Sequence, residues 1–252
     1  QHSLYNSIKY DKIKGIIKIM RPHRFIGNFD LSKKELSISN ADFVNQARNV
    51  LRLKTGDELI LCDGKMNEAV AKILLLAKDK AELEILEIIK NKNESENHVN
   101  LYCSILKKEN FELAVQKAVE VGVKEIIPII TARTVKLGLN HERLNKIIKE
   151  AAEQSGRGVL PKLDEAIIFD EALKLAKEND LNLFFQVGYP PLGHSMSKFK
   201  KVGVFIGPEG GWEEEEIEKA QSNGFTIVGL GKTVLRAETA AIVASYLAIN
   251  LC

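Results

Sequence analysis

The 252-residue chain holds three cysteines, Cys62, Cys103 and Cys252. They are far apart and match neither a metal-ligand spacing nor a disulfide framework. Cys62 and Cys103 lie in apolar runs and read as small buried hydrophobes, and so sparse a set fits a reducing cytoplasm. Long hydrophobic runs are missing too. No apolar stretch approaches the roughly 20 residues of a membrane span. Residues 1–19 mix Lys and Ile without the apolar core or small-residue cleavage site of a secretory leader. The Gly207–Gly211 loop carries neither phosphate-binding signature, because it has no Gly-Lys-Ser/Thr ending and no Gly-x-Gly-x-x-Gly order. His23 and His194 have no companions in a metal or triad pattern, so no metal is expected. No internal repeat is present.

What is there suits an ordinary globular protein: 45% hydrophobic and 28% charged residues, enough for one large or two small domains. The formal net charge is only +2, but residues 1–36 carry eight Lys/Arg against three Asp/Glu. A basic end on an otherwise slightly acidic chain points to an anionic partner, nucleic acid first, or else to a solvated basic tail. Met20, followed by Arg21-Pro22-His23-Arg24-Phe25, resembles a natural start, and residues 1–19 are read as an upstream extension or as added, non-native sequence.

Residues 25–89 read mostly as β. Strands at 59–62 and 69–74 flank Asp63-Gly64, a pair favoured in tight hairpins, and a third strand is expected over 81–89. A helix over 41–51 interrupts them, with Asn40 as its N-cap. Several short strands and one helix suggest a small barrel. The polar run 91–97 lacks apolar anchors and reads as a linker. From residue 99 the rhythm becomes alternating. Strands are expected at 99–106, 125–130, 182–187, 202–206 and 225–229, with a short extended piece at 165–168. Helices are expected at 109–121 (closed by Gly122), 142–154, 170–178, 213–221 and 236–249. This alternation predicts a parallel sheet covered on both faces, with ligands beyond the carboxyl ends of its strands.

Two such strand ends carry unusual loops. The first is Ile206-Gly207-Pro208-Glu209-Gly210-Gly211, in which three glycines let the backbone approach a flat ligand closely. The following helix opens with Glu213-Glu214-Glu215-Glu216, which suits the helix dipole but repels phosphate. The second runs from Leu230-Gly231 through Val234-Leu235-Arg236 to Glu238-Thr239-Ala240. Together they suggest a neutral or zwitterionic ligand gripped by main chain. The last helix is apolar nearly all round, as suits a core or a dimer interface. Trp212 is expected to pack rather than to stack on a base.

These two loops resemble the ligand-binding end of the SPOUT methyltransferases, and within them the RsmE family. The resemblance extends over most of the chain. Met20-Arg21-Pro22-His23-Arg24-Phe25 is similar to that family's Arg-rich opening. Residues 49–57, Asn49-Val50-Leu51-Arg52-Leu53-Lys54-Thr55-Gly56-Asp57, follow its pattern with Asn49 in place of a His. Lys117-Ala118-Val119-Glu120-Val121-Gly122-Val123 and Glu150-Ala151-Ala152-Glu153-Gln154-Ser155-Gly156-Arg157 match two further motifs.

The resemblance implies an α/β fold: an N-terminal PUA-like β-barrel that binds RNA over 20–90, a linker over 91–98, and a SPOUT methyltransferase domain over 99–252 with a C-terminal trefoil knot. It implies S-adenosyl-L-methionine as cofactor, a homodimer, and methylation of uridine N3 in 16S ribosomal RNA, within the assembled 30S subunit. A SPOUT enzyme acting on ribose 2′-OH or transfer RNA, or a non-catalytic RNA-binding protein, stands as the alternative. The cofactor would be held by Gln186, Val187, Gly188, Ile206, Gly207, Pro208, Glu209, Gly210, Gly211, Leu230, Gly231, Val234, Leu235, Arg236 and Thr239. Arg236 would stabilise charge on a uracil oxygen, unless a salt bridge to Glu238 occupies it. Glu238 or Glu209 would help remove the N3 proton, with orientation of loop amides as the other role for Glu209. Arg21, Arg24, Arg52, Arg133, Lys136, Gln154, Ser155 and Arg157 would face RNA, each basic residue being otherwise a solvated charge.

Overall fold

The computed structural model describes residues 22–135, 138–192 and 199–251. Two sheets organise them. The first has the order β1-β3-β4-β5-β2: β1 His23–Ile26, β2 Glu35–Ile38, β3 Glu58–Cys62, β4 Asn67–Leu76 and β5 Ala81–Lys90. β1 and β3 are parallel and the other pairs antiparallel. Phe25, Leu59, Leu61, Ile73 and Leu83 share one core. Helix α1, Ala41–Asn45, packs Phe43 and Val44 into it and continues as a π-helical turn, Gln46–Val50. As expected, Asn40 caps α1, its side chain accepting from Phe43 N–H at 2.9 Å. Among the described residues no ladder joins β1 to β2.

The turn at Asp63-Gly64 differs from the tight form expected. Asp63 Oδ1 accepts N–H bonds from both Lys65 and Asn67, at 2.7 and 3.1 Å. This side-chain turn widens the connection to four residues, with Met66 at a left-handed φ of 74°.

The second sheet is parallel throughout, in the order β12-β10-β11-β6-β7-β8, with β9 also on β7. Its strands are β6 His98–Ser104, β7 Glu125–Ile130, β8 Lys162–Leu163, β9 Ile167–Ile168, β10 Leu181–Phe185, β11 Lys201–Ile206 and β12 Thr226–Val228. The period of two along each strand sorts side chains to opposite faces. Val99, Leu101, Leu183, Val204 and Ile206 meet α2 Lys108–Val121, α3 His141–Ser155 and α6 Ala237–Leu251. Tyr102, Ile127, Phe184 and Phe205 meet α4 Phe169–Leu175 and α5 Glu214–Ser222. Helix α2 ends where Gly122 takes φ 116°, a left-handed cap that only glycine adopts freely. No described helix is long and apolar enough to cross a membrane.

The sheets are joined by buried polar contacts around the end of α3. Glu153, 8% exposed, accepts from Ile26 N–H at 2.9 Å and from the Gln46 side-chain amide at 3.0 Å. The run 91–97 is anchored by polar rather than apolar contacts. Asn91 and Asn93 both donate to the Gly156 carbonyl at 3.0 Å. The Glu94 carboxylate is buried against Arg157 and Lys124.

After β12 the chain turns back across the carboxyl ends of β10 and β11, and α6 then packs on β6, β11 and α2. At the turn, Gly229 N–H donates to the Pro190 carbonyl at 2.7 Å. A Cβ on Gly229 would lie 2.2 Å from the Tyr189 carbonyl oxygen, so no larger residue fits.

Candidate active site

The carboxyl ends of β6, β10 and β11 and the first turn of α6 surround a cleft of about 460 Å³. The loop after β11 forms one wall with Ile206, Gly207, Pro208, Glu209 and Gly211. Gln186 and Val187, after β10, form a second, and Val234, Leu235, Arg236 and Glu238 a third. A smaller adjoining hollow of about 60 Å³ reaches Leu230 and Gly231. These are most of the residues expected at the cofactor. Gly188, Gly210 and Thr239 line neither space.

Each wall has a local cause. Gly211 N–H donates to the Pro208 carbonyl at 2.9 Å, closing a tight turn. Of the loop's three glycines only Gly211 has positive φ, 71°. Gly207 is needed for space instead, because a Cβ there would come within 2.9 Å of the Trp212 indole. Trp212 cannot retreat. Its ring lies against Phe184 at 4.2 Å between centroids, and its Nε1–H donates to the Phe185 carbonyl at 3.0 Å. It packs, as expected, and is 4% exposed.

The two carboxylates differ. Glu209 accepts from the Lys107 N–H at 3.1 Å, at the start of α2. Burial pushes its carboxyl up, but the Lys107 and Glu209 amides and the Asn110 side chain outweigh that and hold it below the usual glutamate range. It is committed as an anion to orienting backbone. Glu238 is 6% exposed, and its Oε2 has no hydrogen-bond partner among the described residues. A buried orphan oxygen costs roughly 1–3 kcal/mol or more unless a ligand satisfies it. Arg236 is exposed and forms no ion pair with Glu238 or any other described acid. Cys103, at the end of β6, is buried, and burial pushes its thiol up to about 12.

The residues expected at RNA are dispersed. Arg21 and Lys136 lie outside the described residues. Arg24 is paired with Glu68. Arg52 is exposed at φ 55°. Gln154 is exposed, and Ser155 donates its hydroxyl to the Ala151 carbonyl at 2.7 Å. Arg157 must be corrected. It is 3% exposed, held by Glu94 at 2.8 Å and by the Val119 and Val123 carbonyls at 2.7 and 3.0 Å. Its guanidinium is consumed inside the protein and is not available to RNA. Arg133 faces the glycine loop. Lys107, Asn110 and Trp212 also line the cleft without having been expected there. The strand-end rule pointed at β6 as at β10 and β11, but no motif marks Lys107.

Comparison with known proteins follows the same outline. A family model described as the RNA methyltransferase domain matches residues 93–249, and one described as the RNA methyltransferase PUA domain matches 47–86. The ribosomal RNA small subunit methyltransferase E of Rickettsia conorii is 32% identical over 233 residues, 89% of this chain and 94% of the relative. This chain belongs to the RsmE family of RNA methyltransferases. The first sheet is thus the PUA-like unit of an RsmE protein and the second its methyltransferase unit. A crystal structure of the RsmE protein of Neisseria gonorrhoeae, bound to S-adenosyl methionine, superposes with a TM-score of 0.81 at 33% identity, covering 89% of this chain and 95% of that one. A methyltransferase from Legionella pneumophila, in complex with the same cofactor, gives 0.81 at 29% identity, covering 91% and 97%.

Proposed function

We propose that this chain transfers the methyl group of S-adenosylmethionine to N3 of a uridine in 16S ribosomal RNA, position 1498 in the usual numbering. The observation that carries the proposal is one cleft lined by both an exposed cation, Arg236, and a buried carboxylate, Glu238, neither the Arg236 guanidinium nor Glu238 Oε2 having a partner among the described residues. Both line one cleft at the carboxyl ends of the parallel sheet.

The residues present fit the cofactor. The cleft lies within the roughly 300–1,000 Å³ of small-molecule sites. Its walls near Gly207 and Gly231 are largely backbone, and its one orphan acceptor awaits a donor. Leu230, Gly231 and Leu235 would hold the adenine, and residues 207–211 the ribose and methionine part. When bound, the cofactor supplies a methyl group already activated by its sulfonium. The chain must align the acceptor and free N3 of its proton. Glu238 Oε2 accepts that proton in this reading. Arg236 stabilises the negative charge spread onto the uracil oxygens. Trp212 and Phe185 close the cleft floor against water.

The reading extends to a homodimer and to the 30S subunit as substrate. Outward on α6, Tyr246 is 56% exposed beside the half-buried Ile242, Val243 and Leu247, an apolar strip suited to a second copy. A C-terminal trefoil knot belongs to the same reading through the family resemblance, and the close approach of Gly229 to the Tyr189 carbonyl is compatible with it.

The test is methylation of 30S subunits lacking the modification, with the product base mapped. N3-methyluridine supports the reading. A ribose 2′-O-methyl product, or no cofactor binding by titration, overturns it.

A further inference from the structure

Arg133 belongs to the loop after β7. That loop is rigidly built. The hydroxyls of Ser104, Thr131 and Thr134 form a closed triangle at 2.8–3.0 Å, and Thr131 N–H donates to Thr134 Oγ1 at 2.9 Å. Glu216, 6% exposed, ties it to the start of α5. Its Oε1 accepts from Ala132 N–H and its Oε2 from Glu213 N–H, each at 2.9 Å. From this fixed arm the Arg133 guanidinium makes two bonds at once. Nε donates to Glu213 Oε1 at 2.8 Å and Nη1 to the Gly210 carbonyl at 2.7 Å. Its aliphatic stem also lies against the Gly210 Cα, where a Cβ would meet Arg133 Cδ at 3.3 Å.

The geometry points to Arg133 as a positioning residue that braces the cofactor loop through Gly210, rather than as a contact to RNA; the inference rests on the methyl-transfer reading above. Consecutive residues of the loop are then pinned by two separate segments, Glu209 by the Lys107 amide before α2 and Gly210 by Arg133 after β7. A loop so held binds its ligand without first losing conformational freedom. The charge argument agrees. The cation is already paired with Glu213, and the run Glu213–Glu216 beside it repels a polyanion. The fork geometry matters because a lysine, with one terminal nitrogen, cannot span a carboxylate and a carbonyl as a guanidinium does.

Three variants of the full chain decide the matter: Arg133→Ala, Arg133→Lys and Glu213→Gln. S-adenosylmethionine affinity is read by calorimetry, and affinity for unmodified 30S subunits separately. The side chain is 44% exposed, and melting curves confirm that each variant folds. A brace predicts cofactor Kd raised about tenfold in all three, the size of one lost charge-assisted hydrogen bond. It also predicts no rescue by lysine, kcat at saturating cofactor within about twofold of wild type, and subunit affinity unchanged. An RNA contact predicts the reverse: lysine rescues, Glu213→Gln does not weaken anything, and subunit affinity falls while cofactor Kd stays. That result, or unchanged cofactor Kd in Arg133→Ala against a wild type that binds, overturns the brace alone. A wild type that binds no cofactor overturns the functional reading and the brace with it.

Discussion

The Glu94 carboxylate and the Arg157 guanidinium meet at 2.8 Å with both side chains only 4% exposed. Lys124 and the Gly158 amide bind the same carboxylate. Burial pushes the Glu94 carboxyl up, but the bonds and charges of Arg157 and Lys124 overcome it and hold it at about 2, against the ordinary 4.5. The folded value lies below the unfolded one, so the stabilisation is complete above the unfolded value and is lost as pH falls towards the folded one. Urea unfolding at stepped pH should show stability dropping between pH 4.5 and pH 2. Glu94→Gln should flatten that limb. At neutral pH it should cost about 3 kcal/mol, because it leaves a buried cation unpaired. A variant as stable as wild type at neutral pH would refute this.

Gly207→Ala should damage the cofactor wall. The new methyl meets an indole fixed by Phe184 and by the Phe185 carbonyl. Overpacking of this kind costs about 1–3 kcal/mol, and cofactor affinity should fall about tenfold or more as the loop shifts. Calorimetry and thermal melting check both, and wild-type affinity in the variant would show that the wall yields freely.

Glu238→Gln separates chemistry from stability. Loss of a proton acceptor should lower kcat by about 10²-fold. The fold should be little changed, since the isosteric amide leaves the same buried position without a partner. Single-turnover methylation and melting of the same sample test the pair. A kcat within a few-fold of wild type would assign the proton to another group.

Gly229→Ala should fail to fold or lose more than about 3 kcal/mol. The obstructing atom at 2.2 Å is a backbone oxygen, and no rotamer change relieves it. Soluble yield and urea midpoint read the effect, and a well-folded variant would refute a tight crossing after β12.

How much of this was legible in the sequence depends on the range of the forces involved. β7 runs over the expected 125–130 because a buried parallel strand is a continuous apolar run between turn signals. α2 stops where Gly122 stops it. The place of the glycine loops at one cleft was legible because they combine two local signals, strand end and missing side chains. Glu94 was not. Its run was read as a free linker, since its partners Lys124 and Arg157 lie 30 and 63 residues away and no periodicity encodes an ion pair. The same pair hid the fate of Arg157, whose motif matched while its guanidinium turned inward. Lys107 and Arg133 entered the site through loops that meet only after the sheet has formed.

Trp212 is the chain's one tryptophan, and it stands in the cleft wall with its indole nitrogen on Phe185. The protein therefore carries its single indole fluorophore at the place where its ligand is proposed to sit. Emission excited selectively at the indole, apart from the five tyrosines, reports on that one cleft, and a stopped-flow trace of it can time ligand arrival separately from methyl transfer.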